Sequence, residues 1–578
     1  MTKLIIDNVF TKVESSDVDL LNFIDSELAI KDKRCFFDPE FKNGRWDGYV
    51  RFFNRDTNTF PTGLLYKLLD LPENDFELVD NRKYTKRVIP AEIDLYEPDA
   101  PEGKITLRDY QYLAVYNAMD KLRGIVNVAT NGGKTEIASG LIKVILPTLK
   151  KEERIIFVTH SKEIMHQSAE RIARRLNINV GKIGDGIWNL EQVSVVMVPT
   201  IARNLKAIDG AITYRGEMSG VKLILDLAGS AITKNGYGHR QTLLNLLAVV
   251  EDEYRKLQRR EEPCKDEERA IDILTATLAN EKTDKGIYKL VEKMKKSLAK
   301  YEEKELRKKK EKTAMAKEIL ESVRCFIIDE AHHASSSTFI DTLNACTNAV
   351  YRIGLTGTID EKNEINMLKL FGVTGKPVVQ IKNELLIERG YSAKPTILMT
   401  PIKTPKLGKA NFQVAYQKGI VENAYRNKVI TEQVKKEYDE GKGCLIIVNR
   451  KEHGENIKDR LEEMGVECEF THGSYENREG VLKDMTSGKL KVLIATTILD
   501  EGVDIAGINC LWMAAGMKSY RMVLQRVGRG LRRKADGSGL TVYDYLDDTS
   551  DYLKSHTYQR FAYYKEEGFE IRKYEENI

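Results

Sequence analysis

Two series of short apolar runs rich in β-branched residues constrain the fold more than any other feature. The first comprises GIVNVA (124–129), RIIFVT (154–159), VSVVMV (193–198), CFIID (325–329) and YRIGLT (351–356); the second comprises TILMT (396–400), CLIIV (444–448), VLIAT (492–496), CLWMA (510–514) and LTVYD (540–544). A strand that is apolar at every position is buried on both faces, as in a parallel sheet with helices on either side. Each series therefore predicts one such sheet, and the chain reads as two α/β domains in tandem. Its 578 residues exceed the roughly 250 to 300 at which a single core stops growing, so at least three folding units are expected.

Residues 199–324 break the rhythm, because a crossover between parallel strands needs only a dozen or so residues. An insertion is expected there. Its second half is rich in Lys and Glu, and Ile287, Val291, Met294, Leu298 and Tyr301 step by four and three, as one face of a helix does. Pro263 is expected to end one helix, with the next starting near Asp266. The run KELRKKKEKTAMAKE (304–318) reads as a solvated helix face, with contact to nucleic acid or a protein partner as the alternative.

Lys and Arg number 91 against 87 Asp and Glu, a formal charge of +4, so a polyanionic partner must be met by local patches. The seven cysteines are scattered without a CxxC pair, which fits a reducing, cytoplasmic setting and no zinc site. No run of about 18 apolar residues occurs, and MTKLIIDNVF lacks the long apolar core of a signal peptide, so no membrane association is expected.

The loop VATNGGKTE (128–136) follows a strand-like run and precedes a helical pattern. In such a P-loop the backbone N–H groups of Thr130, Asn131, Gly132 and Gly133 point at phosphate oxygens, Lys134 reaches the β/γ-phosphates, and Thr135 holds Mg²⁺. Val128 stands where the motif has its first glycine. The fourth run ends in IIDEAHH (327–333), two carboxylates at a strand's carboxyl end, where open α/β sheets bind ligands. Asp329 is assigned to Mg²⁺ and Glu330 to the attacking water; His332 and His333 lack a third ligand, and His332 is read as a coupling residue. In LQRVGRGLRR (524–533), Gln525, Arg529 and Arg532 share one helical face, suited to arginine fingers offered to a γ-phosphate.

This motif order resembles that of superfamily 2 helicases and translocases. TLRDYQ (106–111), the P-loop, VTHSKEIMHQ (158–167), VPTI (198–201), DEAH (329–332), GLTGT (354–358), IIVNRKEHGENI (446–457), THGS (471–474), ATTILDEGVDI (495–505) and QRVGRGLRR (525–533) follow in sequence. The resemblance implies two tandem RecA-like domains, ATP and Mg²⁺ as cofactors, and translocation by opening and closing of a cleft. It assigns Arg108 and Gln111 to adenine, Thr356 and Thr358 to coupling, Gly502 and Asp504 to the cleft, and Thr200, Asn449 and Thr496 to a nucleic-acid backbone.

The stretch FFDPEFKNGRWDGYVRFFNRDTNTFPTGLL (36–65) resembles the leading domain of the phage UvsW-like branched-DNA helicases. The expected architecture is then α/β: a small α+β N-terminal DNA-binding domain (1–95), a first RecA-like domain (96–390) with a helical insertion at about 210–320, and a second RecA-like domain (391–578). Most of the aromatic rings are expected to form the small domain's core, while Lys42, Arg45, Arg51 and Arg55 face DNA. The implied function is ATP-dependent remodelling of forks, Holliday junctions or D-loops in phage recombination, repair or replication, by a monomer with a possible protein partner at the insertion. GLTGT and QRVGRGLRR favour the DNA-translocating branch; an RNA-remodelling helicase and a strand-annealing protein with an ATP-gated grip remain the alternatives.

Overall fold

The structure, a computed structural model, describes residues 2–71, 76–84, 88–129, 131–206, 212–228, 239–260, 263–357, 363–392, 394–472, 478–496, 508–516 and 539–574. By internal contacts the chain divides into one unit of Met1–Thr200 with Leu320–Ile578 and a second of Ile201–Ile319.

In the first unit, β1 (Thr2–Ile6) pairs antiparallel with β2 (Phe10–Glu14) and buries Leu4 and Ile6. The helix Val18–Glu27 starts at Asp17, whose carboxylate accepts from the N–H groups of Asp19 and Leu20, both at 3.0 Å, and it buries Leu21 and Ile24. β3 (Ala29–Lys31) and β4 (Tyr49–Arg51) form a separate ribbon. β5 (Thr59–Pro61) and β6 (Phe76–Asp80) complete a sheet of order β5-β2-β1-β6.

This small sheet is seated through Gly63. A Cβ there would lie 1.9 Å from the carbonyl oxygen of Phe371, so no side chain fits. The Tyr66 ring meets Phe371 edge-on at 6.5 Å, and Lys376 pairs with Asp70 at 2.9 Å. The Pro61-x-Gly63-Leu64 element thus serves a packing seam with the helix Glu364–Thr374.

A ribbon of β7 (Asp94–Tyr96) and β8 (Lys104–Thr106) leads into an eight-stranded sheet. Its strands are β9 (Arg123–Val128), β10 (Arg154–Thr159), β11 (Gly181–Gly184), β12 (Ile187–Asn189), β13 (Val193–Met197), β14 (Val323–Ile328), β15 (Tyr351–Thr356) and β16 (Pro377–Ile381), in the order β12-β11-β13-β10-β14-β15-β9-β16. All neighbours are parallel except β11 and β12. Val126, Val128, Ile155, Phe157, Cys325, Ile327, Ile353 and Leu355 are buried in its core, each such side chain contributing about 1.5–3 kcal/mol.

The second large sheet runs β19-β20-β18-β21-β22-β17-β23, from β17 (Thr396–Ile402), β18 (Cys444–Ile447), β19 (Cys468–Thr471), β20 (Val492–Ala495), β21 (Cys510–Trp512), β22 (Thr541–Asp547) and β23 (Glu570–Lys573). Every neighbouring pair is parallel. Its interior carries charge: Arg426 Nε donates to Asp547 at 2.8 Å and Arg560 Nε to Asp544 at 2.8 Å, all four side chains fully buried. A second nitrogen of the Arg426 guanidinium, Nη1, donates to the carbonyl of Ala514 at 2.8 Å, so the charge is neutralised and its donors are shared.

The unit Ile201–Ile319 is helical. Glu217–Ala228, His239–Arg259 and Lys265–Asn280 bury Ile224, Leu243, Leu246, Val250, Leu274 and Leu278 together with Ile287 and Val291 of the long helix Asp284–Ser322. Among the described residues no helix is long and apolar enough to cross a membrane.

His453 provides a test of the second sheet's interior. It is fully buried, its Nε2 donating to Asn427 Oδ1 at 3.0 Å, and burial next to the Arg426 charge lowers its pKa to about 3. The unfolded chain binds a proton below about pH 6.5 and the folded chain does not, so stability is intact above 6.5 and lost as pH falls towards 3. In denaturant titrations the wild type should lose about 1.4 kcal/mol per pH unit in this window relative to His453→Gln. Equal pH slopes for the two proteins would refute the assignment.

Candidate functional site

The phosphate loop leaves β9 at Val128, and the helix Lys134–Ile145 begins after Gly133. Ala129 N–H donates to Ile381 O at 2.9 Å and Gly132 N–H to Ala129 O at 3.0 Å, which curls the loop back on itself. Asn131 and Gly133 adopt φ of 69° and 81°, and a Cβ on Gly133 would sit 2.3 Å from Gln111 Nε2. Gln111, buried, donates from Nε2 to Gly132 O at 3.1 Å and accepts from Arg108 N–H at 3.0 Å. Glu136, in the first turn of the helix, accepts from Arg171 Nη2 at 2.7 Å and so ties it to the helix Lys162–Leu176.

Across the sheet edge, Asp329 N–H donates to Val158 O at 2.9 Å and continues the ladder by one residue beyond β14. Glu330 then turns into the left-handed region at φ 45°, its N–H donating to Asp329 Oδ1 at 3.0 Å. That turn aims the Glu330 carboxylate at Lys134, with which it forms an ion pair. His332 Nδ1 lies 3.4 Å from Glu330 Oε2 and 3.3 Å from Thr356 Oγ1, at the buried end of β15. The His333 ring lies 4.2 Å from both His332 and His160.

The two carboxylates differ electrostatically. Burial pushes Asp329 above the usual aspartate range, and the neighbouring Glu330 charge adds to this against the pull of Lys134. Burial acts on Glu330 in the same sense, but Lys134 and His332 outweigh it and hold that carboxyl below the ordinary glutamate value. Among the described residues no group of three or more His, Cys, Asp or Glu side chains could hold a metal ion alone. The Thr135 hydroxyl and the Asp329 carboxylate are hard oxygen donors, the set that suits Mg²⁺ completed by phosphates and water.

Lys134, Asp329, Glu330, His332 and Thr356 therefore meet at one edge, with Gln111 holding the loop. Arg108 donates to Tyr110 Oη at 3.1 Å, and its guanidinium lies 4.0 Å from the centre of the Tyr391 ring. Tyr391 is a candidate that sequence reasoning passed over, a single ring in a turn without motif. Elsewhere, Thr200 follows β13, and the register pairs Thr159 with Met197 at adjacent strand ends. Asn449 and Thr496 lie beyond β18 and β20, whose last pair is Ile447 with Ala495, and so share an edge of the second sheet. Thr130, Thr358, Gly502, Asp504, Gln525, Arg529 and Arg532 lie outside the described residues.

The aromatic stretch corrects an expectation. Of its rings, Phe53 and Phe60 are buried, Phe41, Trp46 and Phe52 are half-buried, and Phe36, Phe37 and Tyr49 are 58%, 81% and 40% exposed. The interior of the small sheet is filled by Leu4, Ile6, Val13, Ile24, Leu64 and Leu68 together with Phe60, which leaves Phe36, Phe37 and Tyr49 for its surface. Phe36 packs edge-on against Phe41 at 5.4 Å, and Phe41 against Trp46 at 6.4 Å. Among the basic residues, Arg51 is tied to Asp47 and to Asp25, the latter at 3.3 Å, Arg45 lies 3.6 Å from Glu40, and Arg55 Nη2 donates to Asn22 at 2.9 Å. Lys42 is exposed at the end of the helix Pro39–Lys42.

A phosphate loop and a two-carboxylate strand end on one parallel sheet, followed by a second parallel sheet, define the core of a superfamily 2 helicase, and the chain belongs to that superfamily. Residues 104–211 and 239–361 match the family described as type III restriction enzyme, res subunit, and residues 425–534 match the helicase conserved C-terminal domain. It is similar to the ATP-dependent DNA helicase uvsW of Enterobacteria phage T4, 22% identical over an alignment of 264 positions that covers 42% of this chain and 52% of that one. A crystal structure of T4 UvsW aligns with 99% of this chain and 98% of its own at 17% identity and a TM-score of 0.39. Other relatives are the ATP-dependent helicase Lhr-Core of Methanocaldococcus jannaschii, 26% identical over 40% of this chain and 26% of that protein, and the pre-mRNA-processing ATP-dependent RNA helicase PRP5 of Yarrowia lipolytica, 34% identical over 17% and 10%. The chain spans about half the length of the curated relatives it matches, or less.

Gly133→Ala tests the loop, since both its φ and the Gln111 contact exclude a side chain. The expected result is at least about a tenfold weaker affinity for ATP with a loss of stability of no more than about 1–3 kcal/mol, the size of the local strain. Unchanged nucleotide affinity would show that this conformation is not what binding requires.

Proposed function

We propose that the chain is an ATP-driven motor that unwinds or remodels branched DNA. The observation that carries this is the meeting of Lys134, Asp329 and Glu330 at the carboxyl edge of one sheet, beside a loop that ends in a helix N-terminus. In this reading Lys134 leaves Glu330 for the β/γ-phosphates, and Glu330, already ionised, accepts a proton from the attacking water. Mg²⁺ held by Thr135 and Asp329 would neutralise the phosphate charge. Arg108 and Tyr391 offer a guanidinium and a ring to the base, and His332 links Glu330 to Thr356. Arg529 and Arg532 supply the fingers from the second domain, with Thr130, Thr358, Gly502, Asp504 and Gln525 in the roles their motifs carry.

DNA as the track is supported by the GLTGT and QRVGRGLRR forms of the motifs and by the leading residues. Exposed Phe36, Phe37 and Tyr49 beside Lys42 provide faces for unpaired bases and charge for a backbone, the combination that a junction with splayed strands presents. Arg45, Arg51 and Arg55, each engaged at the surface, add phosphate contacts by exchanging partners, because exposed ion pairs contribute little. The similarity to a protein named as an RNA helicase favours RNA as the second reading.

The deciding measurement is ATP hydrolysis and product formation on single strands, forks, four-way junctions and RNA duplexes. Forked DNA should stimulate hydrolysis most, and Lys134→Ala should reduce the stimulated rate by about 100-fold or more, some 2.7 kcal/mol of barrier. Stronger stimulation by RNA would replace the substrate, and a Lys134→Ala protein that still processed junctions would leave only an annealing role. Phe36→Ala with Phe37→Ala should weaken fork binding by about 30-fold or more without lowering the melting temperature, at about 1–3 kcal/mol per stacked base; if binding is unchanged, the rings do not touch DNA.

A further inference from the structure

The helix Asp284–Ser322 carries a cationic stripe that none of the motifs explains. At about 100° per residue, Lys285, Lys289, Lys293, Lys296, Lys300 and Lys304 fall within a face of about 100°, and Arg307 extends it by one turn. All are exposed, while Ile287, Val291 and Leu298 of the same helix are buried on the opposite side. Among the described residues none of the six lysines forms an ion pair, and Arg307 pairs with Glu311 at 3.0 Å.

Most acids of this stretch have their nearest partners off the stripe, while Glu311 pairs with Arg307, and Lys304 and Lys289 act on Glu305 and Glu281 without forming ion pairs. Glu292 pairs with Lys295 at 3.1 Å, Glu305 with Lys308 at 2.6 Å, and Glu302 accepts from the Tyr214 hydroxyl at 2.7 Å; Glu303 stands at the margin of the stripe. A formal charge of +4 for the whole chain therefore hides a local line of positive charge.

We propose that this stripe is a second DNA-binding surface, one that tracks the phosphate backbone of a duplex. The inference rests on the DNA-motor reading above. The stripe runs about 30 Å, close to one turn of B-DNA, along which the duplex presents a charge every ~1.7 Å. A single strand would need stacking faces, and the stripe has none: Tyr301 is stacked on Tyr214 with ring centres 6.0 Å apart, its hydroxyl donating to Thr213 O at 3.1 Å. A membrane would need an apolar face to insert, and the apolar face here is already spent on the helical unit's own core. Stable docking of an acidic protein would need apolar anchors among the cations, where this face offers lysine stems.

The test is equilibrium binding of the full chain, without nucleotide, to a mixed-sequence duplex of about 30 base pairs, a single strand of the same length and anionic vesicles, over a range of salt. The variant replaces Lys289, Lys293, Lys296 and Lys300 with Glu, and a companion carries Arg at the same positions. The Glu variant should bind duplex at least about 30-fold more weakly, with a slope of log K against log salt shallower by about 0.9 for each phosphate no longer neutralised. The Arg companion should match the wild type, and hydrolysis without nucleic acid should be the same in all three. Duplex affinity and slope within about twofold of the wild type would overturn the proposal, as would an equal loss on the single strand or a loss confined to vesicles. The assay needs no ATP turnover, so a chain whose hydrolysis no nucleic acid stimulates would defeat the motor reading and leave this measurement standing.

Discussion

All strands of a parallel sheet end at the same edge, and the candidate site follows from that constraint. Lys134 and Glu330 are 196 residues apart in sequence, yet they meet because β9 and β14 flank β15 in one sheet. The same edge brings in Thr356 from β15 and, through β10, the backbone of Val158 that continues the ladder to Asp329. Only Lys134 is carried there by a loop, the phosphate loop after β9; Asp329, Glu330 and Thr356 stand at the strand ends or directly beyond them. Two left-handed turns, at Gly133 and at Glu330, are enough to aim the cation and the carboxylate at each other.

The interior strands were legible because burial on both faces leaves an unbroken apolar run. β10 occupies Arg154–Thr159 and β15 Tyr351–Thr356, the spans of RIIFVT and YRIGLT. The strands that left no such signal are β12 (IWN), β16 (PVVQI), β19 (CEFT) and β23 (EIRK), at the ends of the two large sheets, and β11 (GKIG) beside one of them. A strand at a sheet end has a face or an edge in water, so polar residues are tolerated and the pattern fades, whereas β11, paired on both sides, is hidden by its two glycines and Lys182. The helical stretch around Ile287, Val291 and Leu298 was legible for the converse reason, since one buried face imposes a period near 3.6.

The site divides along similar lines. The phosphate loop and the carboxylate pair are local in sequence, and their chemistry dictates residue types at fixed spacing. Tyr391 and its contact with Arg108 had no such signal, because a ring that meets a guanidinium across the fold follows no local spacing. The N-terminal rings were misjudged for a different reason. Aromatic residues are usually interior, but an interior is filled by volume, and Leu4, Ile24 and Leu68 fill this one, with Phe53 and Phe60 the fully buried rings of the stretch. Phe36 and Phe37 are thereby left over for the surface, where their exposure asks for a partner.

Glu330 is where folding energetics and proposed chemistry converge. Burial alone would neutralise it, and Lys134 and His332 keep it charged. In the proposed cycle a phosphate that drew Lys134 away would remove the stronger of these influences and leave His332, whose Nδ1 also meets the Thr356 hydroxyl at the end of the next strand. In the proposed reaction the carboxylate would then regain affinity for a proton at the moment a nucleophilic water must lose one. Because His332 contacts Glu330 and Thr356 together, the proposed cycle would pass a change at the phosphate to β15 without any further element between them.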